Sequence, residues 1–525
     1  MAQVAFTASH HLATQTGMKT LQQGGNAVEA MVAAAATISV AYPHMTGLGG
    51  DGFWLIHKPG EKPVAIDAAG FSAMAATPKA YSSFKTLPTR GGKAAITIAG
   101  AVSGWSLALK WSEEHLGSKT DLSWLLKDAL SHAKNGVEIT ETLSRTTRSK
   151  LTELIDVPGF ASTFLNDEKP LVEGEILKQP GLVSLFEALI ENGLEDFYQG
   201  KIAKTIAKRL KEAGSLLTES DLNAFKAQIV EPLQSDISKG SLFNLCAPTQ
   251  GVASLIILAL YDRVYQEDWS ELERVHHLVE CTKQAFILRD KFVTDSQRLA
   301  GDLNELLDET FLNGLATKID SEKAMAWPHK AKPGDTIWMG AVDKNGVMVS
   351  YIQSLYWEFG SGVVIPEYGL VWNNRGVGFS LQEGHVNELA PRVKPFTTLN
   401  PAMCLFKDGS RMVYGTMGGE GQPQTQAAIF SRMTDLKLSP SQAISEPRWL
   451  LGRTWGDSQN NLKLEQALAD RIGAQLSAMG HDVEVVEDQS EMMGHAGAII
   501  IEKSGLVKAG TDPRSDGSAL VEGVE

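Results

Sequence analysis

Cysteine is scarce: Cys246, Cys281 and Cys404 are the three in 525 residues, and they stand far apart. They form neither a disulfide framework nor a zinc spacing, which predicts a reducing compartment. Positive charge is also in deficit, with 48 Lys and Arg against 62 Asp and Glu for a net charge of −14. A phosphate backbone demands clustered cations, so no nucleic-acid partner is expected, although one local arginine could still hold a small anion. Long apolar runs are missing. The stretch from Ala30 to Ala41 is too short to span a bilayer and begins too late for a signal peptide, and Met1 to Phe6 lacks a basic segment before an apolar core. The expectation is a soluble, cytoplasmic protein with no membrane partner. Repeats and low-complexity tracts are likewise absent.

What is there is an ordinary globular composition, 43% apolar and 21% charged, long enough for one large core or two to three domains. The segment His10 to Ala41 predicts two helices split by Gly24-Gly25-Asn26, followed by strands at 53–56 and 64–68. Residues 105–224 read as mainly helical, 241–247 as a strand, and 253–290 as two helices ending near Arg289-Asp290. Strands follow at 337–342, 347–355, 369–372, 403–406 and 412–416, helices at 424–434 and 461–479, and closing strands at 483–486 and 496–501. Strands in both halves with helices between them suit a layered α/β sandwich.

Two motifs are set aside. Gly47, Gly49 and Gly52 satisfy the dinucleotide fingerprint, but that chemistry needs a strand before the glycines and a helix after them. Here the order is reversed, and a tightly packed turn is the better reading. His10-His11 and His276-His277 are sequence neighbours, and adjacent positions on a helix point about a hundred degrees apart, which suits no single metal ion. No metal and no cofactor are expected.

The segment Pro333-Gly334-Asp335-Thr336-Ile337-Trp338 is the most informative. It places a threonine at the head of a strand that runs into an Asp-Lys-Asn-Gly turn and a second strand. Pro328 to Asp335 is a polar, proline-containing connector. If the bond before Thr336 is cut, one residue carries both a hydroxyl nucleophile and a free amine to serve as its base. That is how the amino-terminal nucleophile (Ntn) hydrolases place their reactive residue.

Over nearly its whole length the chain resembles the γ-glutamyltranspeptidase family. The resemblance rests on Gly24-Gly25-Asn26-Ala27-Val28-Glu29-Ala30, Gly47-Leu48-Gly49-Gly50-Asp51-Gly52-Phe53, Gly100-Ala101-Val102-Ser103-Gly104-Trp105 and residues 336–346. It continues through Phe359-Gly360-Ser361-Gly362, Trp372-Asn373-Asn374, Met417-Gly418-Gly419 and Thr511-Asp512-Pro513-Arg514. It implies a four-layer αββα Ntn-hydrolase sandwich made as a precursor. Self-cleavage between Asp335 and Thr336 would leave a large fragment 1–335 and a small fragment 336–525 associated as one folded unit, a dimer of such pairs being among the assemblies this allows. Gly418 and Gly419 correspond to the family's oxyanion-hole pair. Ser354 falls where the family has a threonine that bonds the nucleophile's amine.

The departures bear on the substrate. The family's arginine for the glutamyl α-carboxylate aligns with Ala69, and its three α-amino contacts become Tyr356, Arg375 and Gly378. A cation thus replaces the groups that would meet a substrate ammonium, which disfavours the γ-glutamyl head group. Arg375 reads instead as a carboxylate clamp, Thr397 and Thr398 stand in for two substrate-binding serines, and Tyr356 with Trp357 shortens the pocket. Tyr42-Pro43-His44, Asn373-Asn374-Arg375-Gly376 and residues 415–424 are similar to a branch of the family acting as oxamate amidohydrolases in purine-derived nitrogen salvage. The expected substrate is therefore a small carboxylate-bearing amide. A γ-glutamyl hydrolase or transferase and a glutaryl-type acylase are the alternatives. A non-catalytic relative is a further one, because Ile337 and Trp338 replace residues that are usually polar.

Overall fold

Along the strand Asp335–Val342 the side chains alternate. Ile337, Met339 and Ala341 join one apolar core while Trp338 and Val342 join another. That period of two is what a strand buried on both faces requires. The computed structural model describes residues 2–327, 335–452 and 460–524, and of Asp335 its backbone alone.

The strand lies inside a seven-stranded sheet with the order Ser518–Val524, Ala2–Ala8, Asp335–Val342, Met348–Tyr356, Asp51–His57, Val64–Ala68, Gln228–Val230. A six-stranded sheet runs Val507–Thr511, Ala496–Ile501, Arg411–Thr416, Ala402–Phe406, Gly240–Asn244, Leu233–Ile237. Every pairing within both sheets is antiparallel. Phe53, Leu55, Trp338, Ile352, Met403, Val413 and Ile499 fill the space between the sheets. Helices cover the two outer faces: Ala27–Ala41 and Ala101–Leu116 on the first sheet, Gly251–Val264 and Gln422–Thr434 on the second. The result is the expected αββα sandwich. Both sheets contain strands from both sides of the Asp335–Thr336 bond: in the first, Ala2–Ala8 lies between Ser518–Val524 and Asp335–Val342, and in the second, Gly240–Asn244 pairs with Ala402–Phe406.

Trp338 explains itself. Its indole lies between the sheets, donates to Ser350 Oγ at 2.9 Å, and occupies space left by Gly340, Gly415 and Gly497. The apolar residues after Thr336 are inter-sheet core. Gly24-Gly25-Asn26 separates two helices as expected. The Asn26 side chain caps Val28 N and Glu29 N, and Glu29 returns a bond to Asn26 N.

Three expected bounds need correction. The proposed helix over 461–479 begins with a strand, Leu462–Glu465, whose alternating Leu-Lys-Leu-Glu pairs with Trp449–Leu451 and Val483–Val486; the helix is Gln466–Ala478. The strands at 241–247 and 369–372 contract to Gly240–Asn244 and Leu370–Val371. The strand Ala2–Ala8 was not anticipated, although it is the neighbour of the Thr336 strand. The Pro328–Asp335 connector lies, but for its last residue, outside the described residues. Immediately before it, helix Glu271–Phe292 ties the chain down: Lys283 Nζ donates to the Met325 carbonyl at 2.7 Å, and Glu280 accepts from Met325 N at 3.1 Å. Among the described residues no helix is long and apolar enough to cross a membrane.

Candidate active site

Thr336 is fully buried, and its strand does not pair regularly there. Asp335 faces Tyr356 and Ile337 faces Gln353, so Ser354 and Leu355 together oppose the single residue Thr336. Such a bulge re-aims the backbone beside a site. Ser354 Oγ accepts from Tyr356 N at 2.7 Å within it. At the end of the same strand Tyr356 adopts φ +85°, a conformation that costs a non-glycine residue on the order of 1–3 kcal/mol. The strain puts the Tyr356 ring over the Arg375 guanidinium, 4.2 Å from it. Burial pushes the Tyr356 hydroxyl up to about 12, so the ring is neutral at ordinary pH.

Arg375 opens a short turn, Arg375–Gly378, that Asn373 and Asn374 hold in place. Asn373 Oδ1 accepts from Arg375 N at 3.0 Å and from Thr97 Oγ1 at 2.7 Å, and its Nδ2 donates to the Gly49 carbonyl at 2.9 Å. Asn374 accepts from Trp357 N at 3.1 Å. Gly49 is required there, because a Cβ would lie 1.9 Å from the Val371 carbonyl oxygen. The three nitrogens of the Arg375 side chain are buried, and none makes a hydrogen bond. Its nearest anion is Asp51, with Nε and Oδ2 3.4 Å apart but not aligned for a bond. Burial lowers the Arg375 pKa, and Asp51 offsets this in part. An unsatisfied buried guanidinium is costly and marks a place where an anion would be stabilised.

The second sheet brings the other half of the site. Strand Arg411–Thr416 leads through Met417 into Gly418 and Gly419, at φ +118° and +53°, and then into helix Gln422–Thr434. Both glycines occupy left-handed backbone, and neither amide donates to a backbone group among the described residues. Gln422 Nε2 donates to Thr336 Oγ1 at 3.4 Å, which joins the two sheets at the threonine. Thr397 and Thr398 are buried, and each has a hydroxyl without a partner. Gln250 Nε2 donates to both the Thr398 and the Gly419 carbonyls at 2.8 Å, while its Oε1 accepts from Arg289 at 3.0 Å. Arg289 also pairs with Glu420 at 2.6 Å. A cavity of about 180 Å³, lined in part by Gly378, Phe396, Arg289 and Glu420, touches both the Arg375 turn and the glycine turn. A larger one, about 990 Å³ around Lys239, Lys407 and Met433, includes none of these residues.

Contacts thus link the predicted residues in subsets: Thr336 to Ser354 and Gln422, Tyr356 to Arg375, and Thr398 to Gly419 through Gln250. Ala69, where the family would carry an arginine, is buried and donates its amide to Asp67 Oδ1 at 2.8 Å. Asp51, Gln250, Arg289 and Gln422 belong to the cluster but were not anticipated. Asp51 and Gln422 lie inside motifs that carry the family resemblance without being assigned a role of their own, whereas Gln250 carries no local signal. The two histidine pairs differ: His10 and His11 stack on each other with ring centroids 4.5 Å apart, whereas His276 and His277 meet edge to face and have different partners. His277 stacks on Trp269, while His276 donates Nε2–H to the Asp320 carbonyl at 2.7 Å and contacts His481 at 2.9 Å. His276, Glu280 and His481 lie close enough to share an ion, but each is already engaged, Glu280 with Lys283 at 2.7 Å.

A gamma-glutamyltranspeptidase family model matches residues 13–522. The chain is 48% identical over 512 residues to an oxamate amidohydrolase proenzyme of Klebsiella pneumoniae, covering 98% of this chain and 97% of that protein. It is 39% identical to a glutathione hydrolase-like proenzyme of Bacillus subtilis, covering 97% of each. Among solved structures, a cephalosporin acylase from Bacillus halodurans superposes with a TM-score of 0.90 at 28% identity, covering 99% of this chain and 96% of that one. This chain therefore belongs to the γ-glutamyltranspeptidase family and is an Ntn-type amidohydrolase.

Proposed function

We propose that the protein cuts itself before Thr336 and then hydrolyses oxamate to oxalate and ammonia through an acyl-enzyme on that threonine. In the precursor the Thr336 hydroxyl attacks the Asp335 carbonyl, and water opens the resulting ester. Fragments 1–335 and 336–525 then remain joined by strand pairing in both sheets. The freed α-amine, with a reference pKa of roughly 7.7–8.0, takes the hydroxyl proton as Thr336 attacks the substrate amide carbon. The Gly418 and Gly419 amides face the oxyanion, a donor of that kind being worth about 3 kcal/mol. Collapse of the adduct expels ammonia with the proton held by the α-amine, and water releases oxalate. Arg375, Thr397 and Thr398 hold the substrate carboxylate, and Ser354 positions the amine. The reaction would serve purine-derived nitrogen salvage in the cytoplasm.

One observation carries the substrate reading: the Arg375 side chain is wholly buried, none of its nitrogens is hydrogen-bonded, and it stacks on the residue that faces Asp335. The similarity to the Klebsiella oxamate amidohydrolase supports it. The likeness to the Bacillus protein favours a γ-glutamyl hydrolase as the second reading. The test is a panel of oxamate, a γ-glutamyl anilide and a glutaryl amide on matured enzyme. Oxamate should dominate, and Arg375→Gln should raise its KM by tenfold to a hundredfold, about 1.5–3 kcal/mol for one charge-assisted pair. A preference for the anilide that survives Arg375→Gln would select the γ-glutamyl reading. Amino-terminal sequencing that finds no terminus starting Thr-Ile-Trp would defeat the mechanism as a whole.

A further inference from the structure

Asp51 lies two strands from the nucleophile, across the strand Met348–Tyr356. It is the register partner of Ser354, one of the two residues that oppose Thr336. Its carboxylate is fully buried: Oδ1 accepts from Gly70 N at 2.9 Å, while Oδ2 has no hydrogen bond and points at Arg375 Nε, 3.4 Å away. We propose that Asp51 is the specificity-determining partner of Arg375, and that a monoanionic substrate enters this site together with one proton taken up by Asp51. The proposal rests on Arg375 being the substrate's carboxylate clamp.

The argument is one of charge balance. Without substrate, Asp51 and Arg375 form a neutral pair away from water. A substrate carboxylate on the free edge of the guanidinium would leave two negative charges on one buried cation, and carboxylates sharing such a site do not both remain ionised. The other charged or titratable groups facing Asp51 cannot relieve this. Asp67 is already paired with Lys394 at 2.7 Å, and Tyr198 and Tyr351 have hydroxyls raised by burial, so they stay protonated. Burial pushes the Asp51 carboxyl up to about 6 even with Arg375 opposing it, so it needs little to take the proton near neutrality. Once protonated, its O–H can donate to a carboxylate oxygen. A dicarboxylate would bring a further charge that no group here neutralises, which restricts the site to small monoanionic amides.

The experiment is the KM of the matured enzyme for oxamate between pH 5.5 and 8, for wild type and Asp51→Asn. Asparagine keeps the acceptor for Gly70 and cannot titrate. Wild-type KM should rise above pH 6 by about tenfold per unit, the limit for one linked proton. In Asp51→Asn it should be flat and lower than wild type at pH 8. A flat wild-type profile, or an Asp51→Asn profile with the wild-type slope, overturns the proposal. If Asp51→Asn does not mature into two fragments, calorimetry of pyruvate binding to wild type at pH 7, in two buffers of different ionisation heat, decides instead, pyruvate being a monoanion of the shape of oxamate with no amide to hydrolyse: one proton taken up supports the proposal, and none refutes it. Arg375→Gln separates the layers. An unchanged oxamate KM in that variant removes the clamp itself, whereas a raised KM alongside an unaltered slope in Asp51→Asn removes only the role of Asp51.

Discussion

The side-chain amide of Gln422 donates to the hydroxyl of Thr336 at 3.4 Å, joining the strand of one sheet to the turn that leaves the other. Gln422 opens the helix three residues beyond Gly419, and its own Oε1 is buried without a partner. It therefore fixes where the glycine amides stand relative to the nucleophile and holds an unused acceptor beside them. Alignment to within fractions of an ångström governs how much such donors contribute.

Gln422→Leu, similar in volume but without polar atoms, should lower kcat about tenfold, roughly 1.4 kcal/mol of barrier, and leave KM for oxamate nearly unchanged. Initial rates on matured enzyme check this, with the ratio of the two fragments by intact mass as the control for processing. A rise in KM with kcat intact would instead place Gln422 at the substrate carboxylate.

Trp338 makes a different prediction. A Cβ at Gly415 would come 2.2 Å from its ring, and one at Gly497 would come 2.4 Å from it. The indole is locked by its bond to Ser350 and buried between the sheets, so it cannot turn aside. Gly415→Ala should destabilise the protein by about 1–3 kcal/mol through overpacking. A denaturant midpoint at the wild-type value would show that the indole moves. Trp338→Phe should relieve the clash, so the double substitution should be less destabilised than the sum of the two singles.

The sequence made the strand that carries Thr336 legible because the signals are local: alternating apolar residues between a proline-glycine segment and an Asp-Lys-Asn-Gly turn. The same is true of the helix break at Gly24-Gly25-Asn26, whereas the role of Gly418 and Gly419 comes from the family resemblance. What stayed hidden depends on distant partners. Ala2–Ala8 is too small and mixed in composition to read as a strand, and it becomes one because residues 339–342 pair with it. Leu462–Glu465 repeats leucine at a spacing that continues into a helix, and strands far along the chain decide between the two periods. Gln250 reaches across 148 and 169 residues to the Thr398 and Gly419 carbonyls, and nothing local marks it. Asp51 sits among glycines whose local signal is for a tight turn, while its importance comes from a guanidinium more than three hundred residues away.

Buried histidines set the acid limit of the fold. His44 and His495 are enclosed, and neither ring has a hydrogen-bond partner. Burial lowers their pKa values to about 3 and about 4. The unfolded chain binds protons at these rings below about pH 6.5, whereas the folded protein does not until well below pH 5. Protons therefore favour unfolding as pH falls, each ring costing roughly 1.4 kcal/mol per pH unit below that value. Wild-type stability should fall steeply between pH 6.5 and 4.5. His44→Gln, which cannot ionise, should be less stable than wild type at pH 7 but should lose stability less steeply with acid. Denaturant midpoints at pH 7, 6 and 5 for the two proteins measure this difference in slope. Equal slopes would mean that His44 takes up its proton without unfolding, and the acid limit would then lie with other groups.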